Sequence, residues 1–246
     1  MNTPTDTPDV AHFNALAEEW WDTEGPMRTL HDITAARVAY IAEQNGGQQN
    51  PPSPPFSKGG IIQHILDVGC GGGLVAEALT KQGAEVTGID LAESLIHVAR
   101  QHAHAENLTI HYVCKAVEVL AEERPAQFDI VTCLDMLEHV DHPETILKAC
   151  AQLVKPGGLV IISTLNRHPK AFMLGILAAE YVFRLVPRGT HTYTRFIKPS
   201  ELVAAVPDTL TLRDLTGLTY HPFTRSTAFS RDVRINYLAT FVAAVA

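Results

Sequence analysis

From residue 67 to residue 73 the chain reads Asp-Val-Gly-Cys-Gly-Gly-Gly, and it passes from an apolar run straight into a helical pattern. Glycines at such a turn let the backbone approach a ligand closely, with no Cβ atoms in the way. Asp90 closes the next apolar run, at the distance where an acidic side chain accepts hydrogen bonds from ribose hydroxyls. A glycine run alone is as often only a tight turn. Strand, glycine loop, helix, strand and terminal acid in that order point instead to a nucleoside-containing ligand. The dinucleotide fingerprint needs a glycine at the sixth place counted from Gly69, and Leu74 stands there, which disfavours a nicotinamide cofactor.

A second group of chemically capable residues lies in CLDMLEHVDHPE, after the apolar run FDIVT. Asp135, Glu138 and His139 have i, i+3, i+4 spacing, which on a short helix puts two carboxylates and an imidazole on one face. Such an oxygen-rich face suits Mg²⁺ better than zinc. The competing reading makes Asp135 a helix cap, Glu138 a solvated side chain and His139 a local hydrogen-bonding partner. Asp141 and His142 are weaker ligand candidates, because the turn before Pro143 points them away from that face.

These residues need elements to position them. From Ile61 onward short apolar strands alternate with helical stretches: IIQHILDVG, AEVTGIDL, LTIHYVCKAV, FDIVTCLDM and LVIISTL as strands, LVAEALTKQG, ESLIHVARQHAHAEN and ETILKACAQLVK as helices. Near-continuous Val, Ile and Leu runs of this kind indicate an α/β fold with a parallel sheet covered on both faces. Ligands of such sheets bind beyond the carboxyl ends of the strands, where both candidate clusters fall. Upstream, residues 1–12 read as a disordered tail and 13–45 as an amphipathic helical segment carrying Trp20 and Trp21, broken by a turn at Gly25-Pro26. Residues 46–60, rich in Pro, Gly and Ser, read as a flexible linker or insertion, and 61–246 as the catalytic domain.

A chain of 246 residues with 46% hydrophobic content can bury one sizeable core, which excludes a disordered polymer. The formal net charge of -8 argues against nucleic-acid binding through general phosphate attraction. Cys70, Cys114, Cys133 and Cys150 lack the paired spacing of zinc or redox centres and read as small buried hydrophobes. The polar opening MNTPTDTPDV carries no apolar run, so a reduced, cytoplasmic location is expected.

An Asp two places before the first glycine, with G-x-G-G-G after it, resembles the first motif of the class I S-adenosylmethionine methyltransferases. That resemblance implies a Rossmann-like fold with a mostly parallel seven-stranded sheet. It also implies that the loop at Asp67, Gly69, Gly71 and Gly73 holds the methionine part of the cofactor, that Asp90 binds its ribose, and that Leu134 sits beside the adenosine. HFNALAEEWWDTEGPMRTLHDITAARVAYI, STLNRHPKAFMLGILAAEYVFRLVPRGTHTYTRFIKPSEL, DLTGLTYHPF and VRINYLAT extend the likeness to nearly the whole chain. Together with LDVGCGGG and LDMLEHV they resemble the ubiquinone-biosynthesis O-methyltransferase family. The Pro-rich segment at 46–60 departs from that pattern.

The family resemblance implies methyl transfer to phenolic hydroxyls of polyprenylated catechol or hydroquinone intermediates at two steps, with a ubiquinone-biosynthesis complex as a partner. It implies a contact between Arg37 and the methionine carboxylate. It also favours Mg²⁺ on Asp135, Glu138 and His139, although the first acid here is one methylene shorter than in relatives. Without a metal, His139 is the candidate general base. Residues 171–189 form an apolar run interrupted by Glu180 and Arg184. That run is too broken to span a bilayer, and it reads either as a helix over the site or as an interfacial one. The resemblance implies lipid contact through it, hence peripheral association with the inner face of the cytoplasmic membrane. Arg167, His168, His191 and Lys198 border the substrate region without a catalytic assignment. The glycine loop and Asp90 alone leave open a class I methyltransferase acting on carbon or on another metabolite, or a non-catalytic isoprenoid-binding member.

Overall fold

A computed structural model describes residues 7–46, 55–58, 61–173 and 193–245. Its helices are α1 (Pro8–Ala15), α2 (Arg28–Gln44), α3 (Leu74–Lys81), α4 (Glu93–Ala105), α5 (Val117–Glu123), α6 (Pro143–Leu153) and α7 (Pro199–Ala205). Its strands are β1 (Ser57–Lys58), β2 (Ile61–Ile62), β3 (His64–Val68), β4 (Glu85–Asp90), β5 (His111–Cys114), β6 (Phe128–Leu134), β7 (Val154–Leu165), β8 (Leu210–His221), β9 (Ser226–Ser230) and β10 (Asn236–Ala243).

Eight strands form one sheet in the order β5-β4-β3-β6-β7-β10-β8-β9, one more than the expected seven. The first five run parallel, while β10, β8 and β9 are antiparallel additions at one side. The parallel strands are joined through α3, α4, α5 and α6, because a parallel pair cannot be closed by a tight hairpin. Strand order reverses at β3, which has β4 on one side and β6 on the other. That reversal opens a crevice at the carboxyl ends of β3 and β6.

Alternation along the strands divides the core into two layers. Leu66, Val131, Val160 and Ile162 face α5 and α6, where they pack with Leu120, Leu147 and Leu153. Ile65, Ile130 and Ile161 face the other way and pack with Val38 and Ile41 of α2, Leu79 of α3 and Ile96 of α4. Both faces are covered, which is why these strands carry almost uninterrupted apolar runs.

The amino-terminal reading needs correction. Pro8–Ala15 is helical where a tail was expected through residue 12, with Thr7 Oγ1 accepting from Val10 N at 3.3 Å as the N-cap. Trp20 and Trp21 lie in the break between α1 and α2, not on a helix. The connector at 46–60 is not wholly a surface excursion, since Phe56 is fully buried in the α2–α3 layer and Ser57–Lys58 pair with Ile61–Ile62. Helix α6 ends at Leu153, and Pro156-Gly157-Gly158 falls inside β7 rather than stopping the helix. Within residues 171–189 only Ala171, Phe172 and Met173 are described, so Glu180 and Arg184 lie outside, as does His191. Among the described residues no helix is long and apolar enough to cross a membrane.

Candidate active site

The loop after β3 folds as its glycines require. Gly69, Gly71 and Gly73 have φ of 70°, 54° and 94°, a region that side-chain-bearing residues rarely enter. Contact enforces the same choice: a Cβ on Gly69 would lie 2.7 Å from Met136 Cγ, and one on Gly71 would lie 2.4 Å from Trp20 Cζ2. Asp90 ends β4 and faces this loop. Its Oδ2 accepts from Gly71 N at 2.9 Å and its Oδ1 from Ala92 N at 2.8 Å. A carboxylate has about four acceptor positions, so capacity remains for a ligand's hydroxyls. Burial raises the Asp90 pKa, while the backbone N–H groups of Ala92, Gly71 and Leu91 pull it back.

Asp67 is buried one strand over, with Thr132 of β6 donating to its Oδ1 at 2.7 Å. Burial pushes its pKa up to about 7, and the Thr132 hydrogen bond and the Arg37 charge restrain the rise. Leu134 closes β6 and is buried beside it.

After β6 the chain departs from the expected helix. Asp135 adopts a left-handed φ of 50° and only Leu137–His139 make a single 3₁₀ turn, so the i, i+3, i+4 helical face is not formed. Asp135 Oδ2 accepts from the Arg37 guanidinium, and its Oδ1 accepts from Ser163 Oγ at 2.6 Å. Arg37 is thereby drawn into the crevice from α2, and its Nε is buried with no hydrogen-bond partner among the described residues. Glu138 is buried, with Thr164 Oγ1 donating to its Oε2 at 2.7 Å and Oε1 without a partner among the described residues. Burial first, and the neighbouring Asp135 charge second, push the Glu138 pKa up to about 8. The His139 ring meets Phe13 edge-on at 5.0 Å, and its Nδ1 is 3.7 Å from Asp9 Oδ1 on α1.

Asp135, Glu138 and His139 are thus neighbours in sequence whose side chains turn to three different partners. Among the described residues no group of three or more His, Cys, Asp or Glu side chains is arranged to hold a metal ion. As they stand, these donors do not fit a divalent cation.

The crevice also contains residues that spacing did not single out. Thr132, Ser163 and Thr164 each set a hydroxyl against one of the acids, and their signal is a polar residue inside an otherwise apolar strand run. Beside the 3₁₀ turn, Leu137, Val140, Leu147, Phe196, Ile197 and Leu202 form the apolar part of the lining of a cavity of about 330 Å³, which Asp141, Arg195 and Glu201 also border. Arg167 borders this cavity and is paired with Glu201. His168 caps the helical turn Pro169–Ala171, and Lys198 precedes α7, so neither faces the crevice acids through a hydrogen bond among the described residues.

Comparison with known proteins agrees with this geometry. A family model described as a methyltransferase domain matches residues 66–162, from β3 to the middle of β7. The protein named "Ubiquinone biosynthesis O-methyltransferase" of Coxiella burnetii (strain RSA 493 / Nine Mile phase I) is 47% identical over 237 residues, covering 96% of this chain and 95% of that one. The protein of the same name from Pseudomonas paraeruginosa (strain DSM 24068 / PA7) is 45% identical over 234 residues, covering 95% of each. Among solved structures, the magnesium protoporphyrin IX methyltransferase of Synechocystis PCC 6803 with bound SAH superposes with a TM-score of 0.66 at 17% identity. It covers 95% of this chain and 97% of that one, and shows the fold alone.

Proposed function

This chain belongs to the ubiquinone biosynthesis O-methyltransferase family, and from that membership we propose its substrate and the residues that act on it. It is an S-adenosylmethionine-dependent O-methyltransferase of ubiquinone biosynthesis. Its acceptor is the phenolic hydroxyl of a polyprenylated catechol or hydroquinone, methylated at both O-methylation steps of the pathway. The observation that carries the reading is the site at the sheet's reversal point, where Asp90, bonded to the glycine loop through Gly71 N, keeps spare acceptor positions for a nucleoside's hydroxyls.

The cofactor fits the residues present. Asp90 accepts the ribose hydroxyls, Leu134 borders the base, and the left-handed turns at Gly69, Gly71 and Gly73 shape the loop that the amino-acid end lies along. Arg37, buried with an unpartnered Nε, receives the carboxylate; Asp67, in the same crevice, receives the ammonium. Bound S-adenosylmethionine supplies a methyl group activated by its sulfonium charge.

An unperturbed phenol loses its proton at pH about 10, so a base must assist near neutrality. We assign that role to His139. The Asp9 carboxylate beside its Nδ1 favours the imidazolium that forms when the ring takes a proton. Phe13 and Leu137 give that neighbourhood an apolar character that excludes water, and the crevice holds the two reactants in line. The mostly apolar cavity beside Leu137 suits a hydrocarbon tail.

Residues 171–189 make peripheral contact with membrane lipid in this reading, on the cytoplasmic side. Phe172 and Met173, at its start, are 40% and 62% exposed. Sedimentation with anionic vesicles, with and without residues 174–189, tests that contact.

Radiolabelled cofactor incubated with polyprenylated catechols, plain catechols and carbon acceptors tests the reaction. Label in an aryl methyl ether is expected, with preference for the prenylated acceptor. Label on carbon, or no transfer to any phenol by native protein, overturns it.

A further inference from the structure

The Trp-Trp-Asp segment between α1 and α2 has no part in the chemistry above, yet it is built into the glycine loop. The Trp20 indole lies against both central glycines. A Cβ on Gly72 would meet its Cδ1 at 2.3 Å and its Nε1 at 2.7 Å, and a Cβ on Gly71 would meet its Cζ2 at 2.4 Å. The five-membered ring therefore covers Gly72 and the six-membered ring covers Gly71. Trp20 is 6% exposed, and its Nε1 has no hydrogen-bond partner among the described residues. An indole N–H is a donor only, so burial without an acceptor costs free energy unless a ligand supplies one.

The next residue explains how the ring is held. Trp21 Nε1 donates to Gly72 O at 3.0 Å, and its ring stacks on His102 with centroids 3.4 Å apart and planes 4° from parallel. His102 Nδ1 is in turn 2.8 Å from Oε1 of the buried Glu77 on α3. On the other side, His31 Nε2 lies 2.9 Å from Trp20 O. Trp21 is pinned to the loop, to α4 and through it to α3, and Trp20 is fixed over the glycines as a result.

We propose that Trp20 is a cofactor-binding residue, its Nε1–H donating to the cofactor's carboxylate beside Arg37, and that Trp21 positions it. Trp20 Nε1, over the glycine loop, and Arg37 Nε, on the helix that faces Asp135, are buried donors without partners among the described residues, and the cofactor has one carboxylate that would serve both. The proposal rests on the reading that the amino-acid end of the cofactor lies at this loop.

The test compares two ligands by calorimetry: S-adenosylhomocysteine, which carries the carboxylate, and 5′-methylthioadenosine, which lacks the amino-acid end. Trp20→Phe keeps the ring over the glycines and removes the N–H. It is expected to weaken S-adenosylhomocysteine about ten-fold, as for a hydrogen bond to a charged group, and methylthioadenosine less than about two-fold. Equal binding of S-adenosylhomocysteine by both proteins overturns the role of Trp20, and so does an equal loss for both ligands. Wild-type protein that binds the two ligands equally well overturns the underlying placement as well. If Trp20→Phe does not fold, the wild-type protein labelled with ¹⁵N at tryptophan is used, since it has only two indole N–H groups to follow. One of the two Nε1–H resonances is expected to shift on saturation with S-adenosylhomocysteine and much less with methylthioadenosine, and Trp20→Tyr identifies it as that of Trp20. Indole resonances unmoved by S-adenosylhomocysteine overturn the proposal.

Discussion

Thr132 on β6 donates a 2.7 Å hydrogen bond to Asp67 on the adjacent strand β3, fully inside the sheet. The bond favours ionised Asp67 while burial opposes it, and the balance leaves a carboxyl whose pKa is about 7. Because that value lies above the ordinary aspartate range, the native state holds a proton the unfolded chain gives up earlier. Native stability is fully present at low pH and falls as pH rises through this window. Asp67→Asn removes the cost. Its thermal midpoint in the ligand-free protein is expected to exceed wild type by about 2–5 °C at pH 8 and to match it below about pH 4, while cofactor binding weakens. Thermal scans across pH, with a parallel calorimetric titration, check both halves.

Asp90 makes a different contribution, because its bond from Gly71 N ties β4 to the glycine loop, while its bond from Ala92 N is local. Asp90→Ala is expected to raise the cofactor KM by about ten-fold or more, with a smaller change in kcat. Steady-state kinetics with varied cofactor decide this; an unchanged KM contradicts the assignment.

His139→Gln removes the proton acceptor and keeps a polar side chain of similar reach. The expected result is a fall in kcat of about 10²–10⁴-fold with cofactor affinity near wild type, partly recovered with acceptors whose phenol is already ionised. Full activity with an ordinary catechol rejects His139 as the base.

Tyr40 tests how far cofactor binding depends on the seating of α2. Its hydroxyl donates to Asp214 Oδ2 at 2.7 Å and lies 2.9 Å from Thr240 Oγ1, joining the helix that carries Arg37 to β8 and β10. Tyr40→Phe removes one of the two hydroxyl donors to Asp214 Oδ2, Thr216 Oγ1 remaining at 2.9 Å, so urea unfolding is expected to show a loss of about 1–2 kcal/mol. A modest rise in cofactor KM accompanies it if the helix shifts.

The parts of this fold that could be read from sequence are those fixed by neighbours along the chain. Strand β3, the glycine loop and α3 follow one another without interruption, so Asp67, Gly69, Gly71 and Gly73 could be placed from local pattern, and Asp90 from the end of the next strand. What escaped depends on partners far away. Asp135 faces Arg37 across a separation of 98 residues, and no local spacing reveals that pair. The helical face drawn through Asp135, Glu138 and His139 failed because a left-handed residue at its start leaves only a 3₁₀ turn. Helix α1 was missed for the same reason. It has no buried residue of its own and is held by distant partners: Arg195 pairs with Asp9, Ser94 N donates to Asn14 Oδ1, and Val10 and Phe13 pack against the Trp20 cluster. An eight-residue helix does not announce itself without them.

The connector between α2 and β3 is clasped at both of its roots: Asn45 Nδ2 donates to Pro55 O at 3.3 Å, Gln63 N donates to Phe56 O at 2.8 Å, and the Phe56 ring plugs into the core. Chain added between Asn45 and Pro55 leaves these fasteners as they are. An epitope or small reporter spliced in between Gln48 and Ser53 gives a labelled enzyme that retains its turnover, a handle that tags at either terminus need not supply.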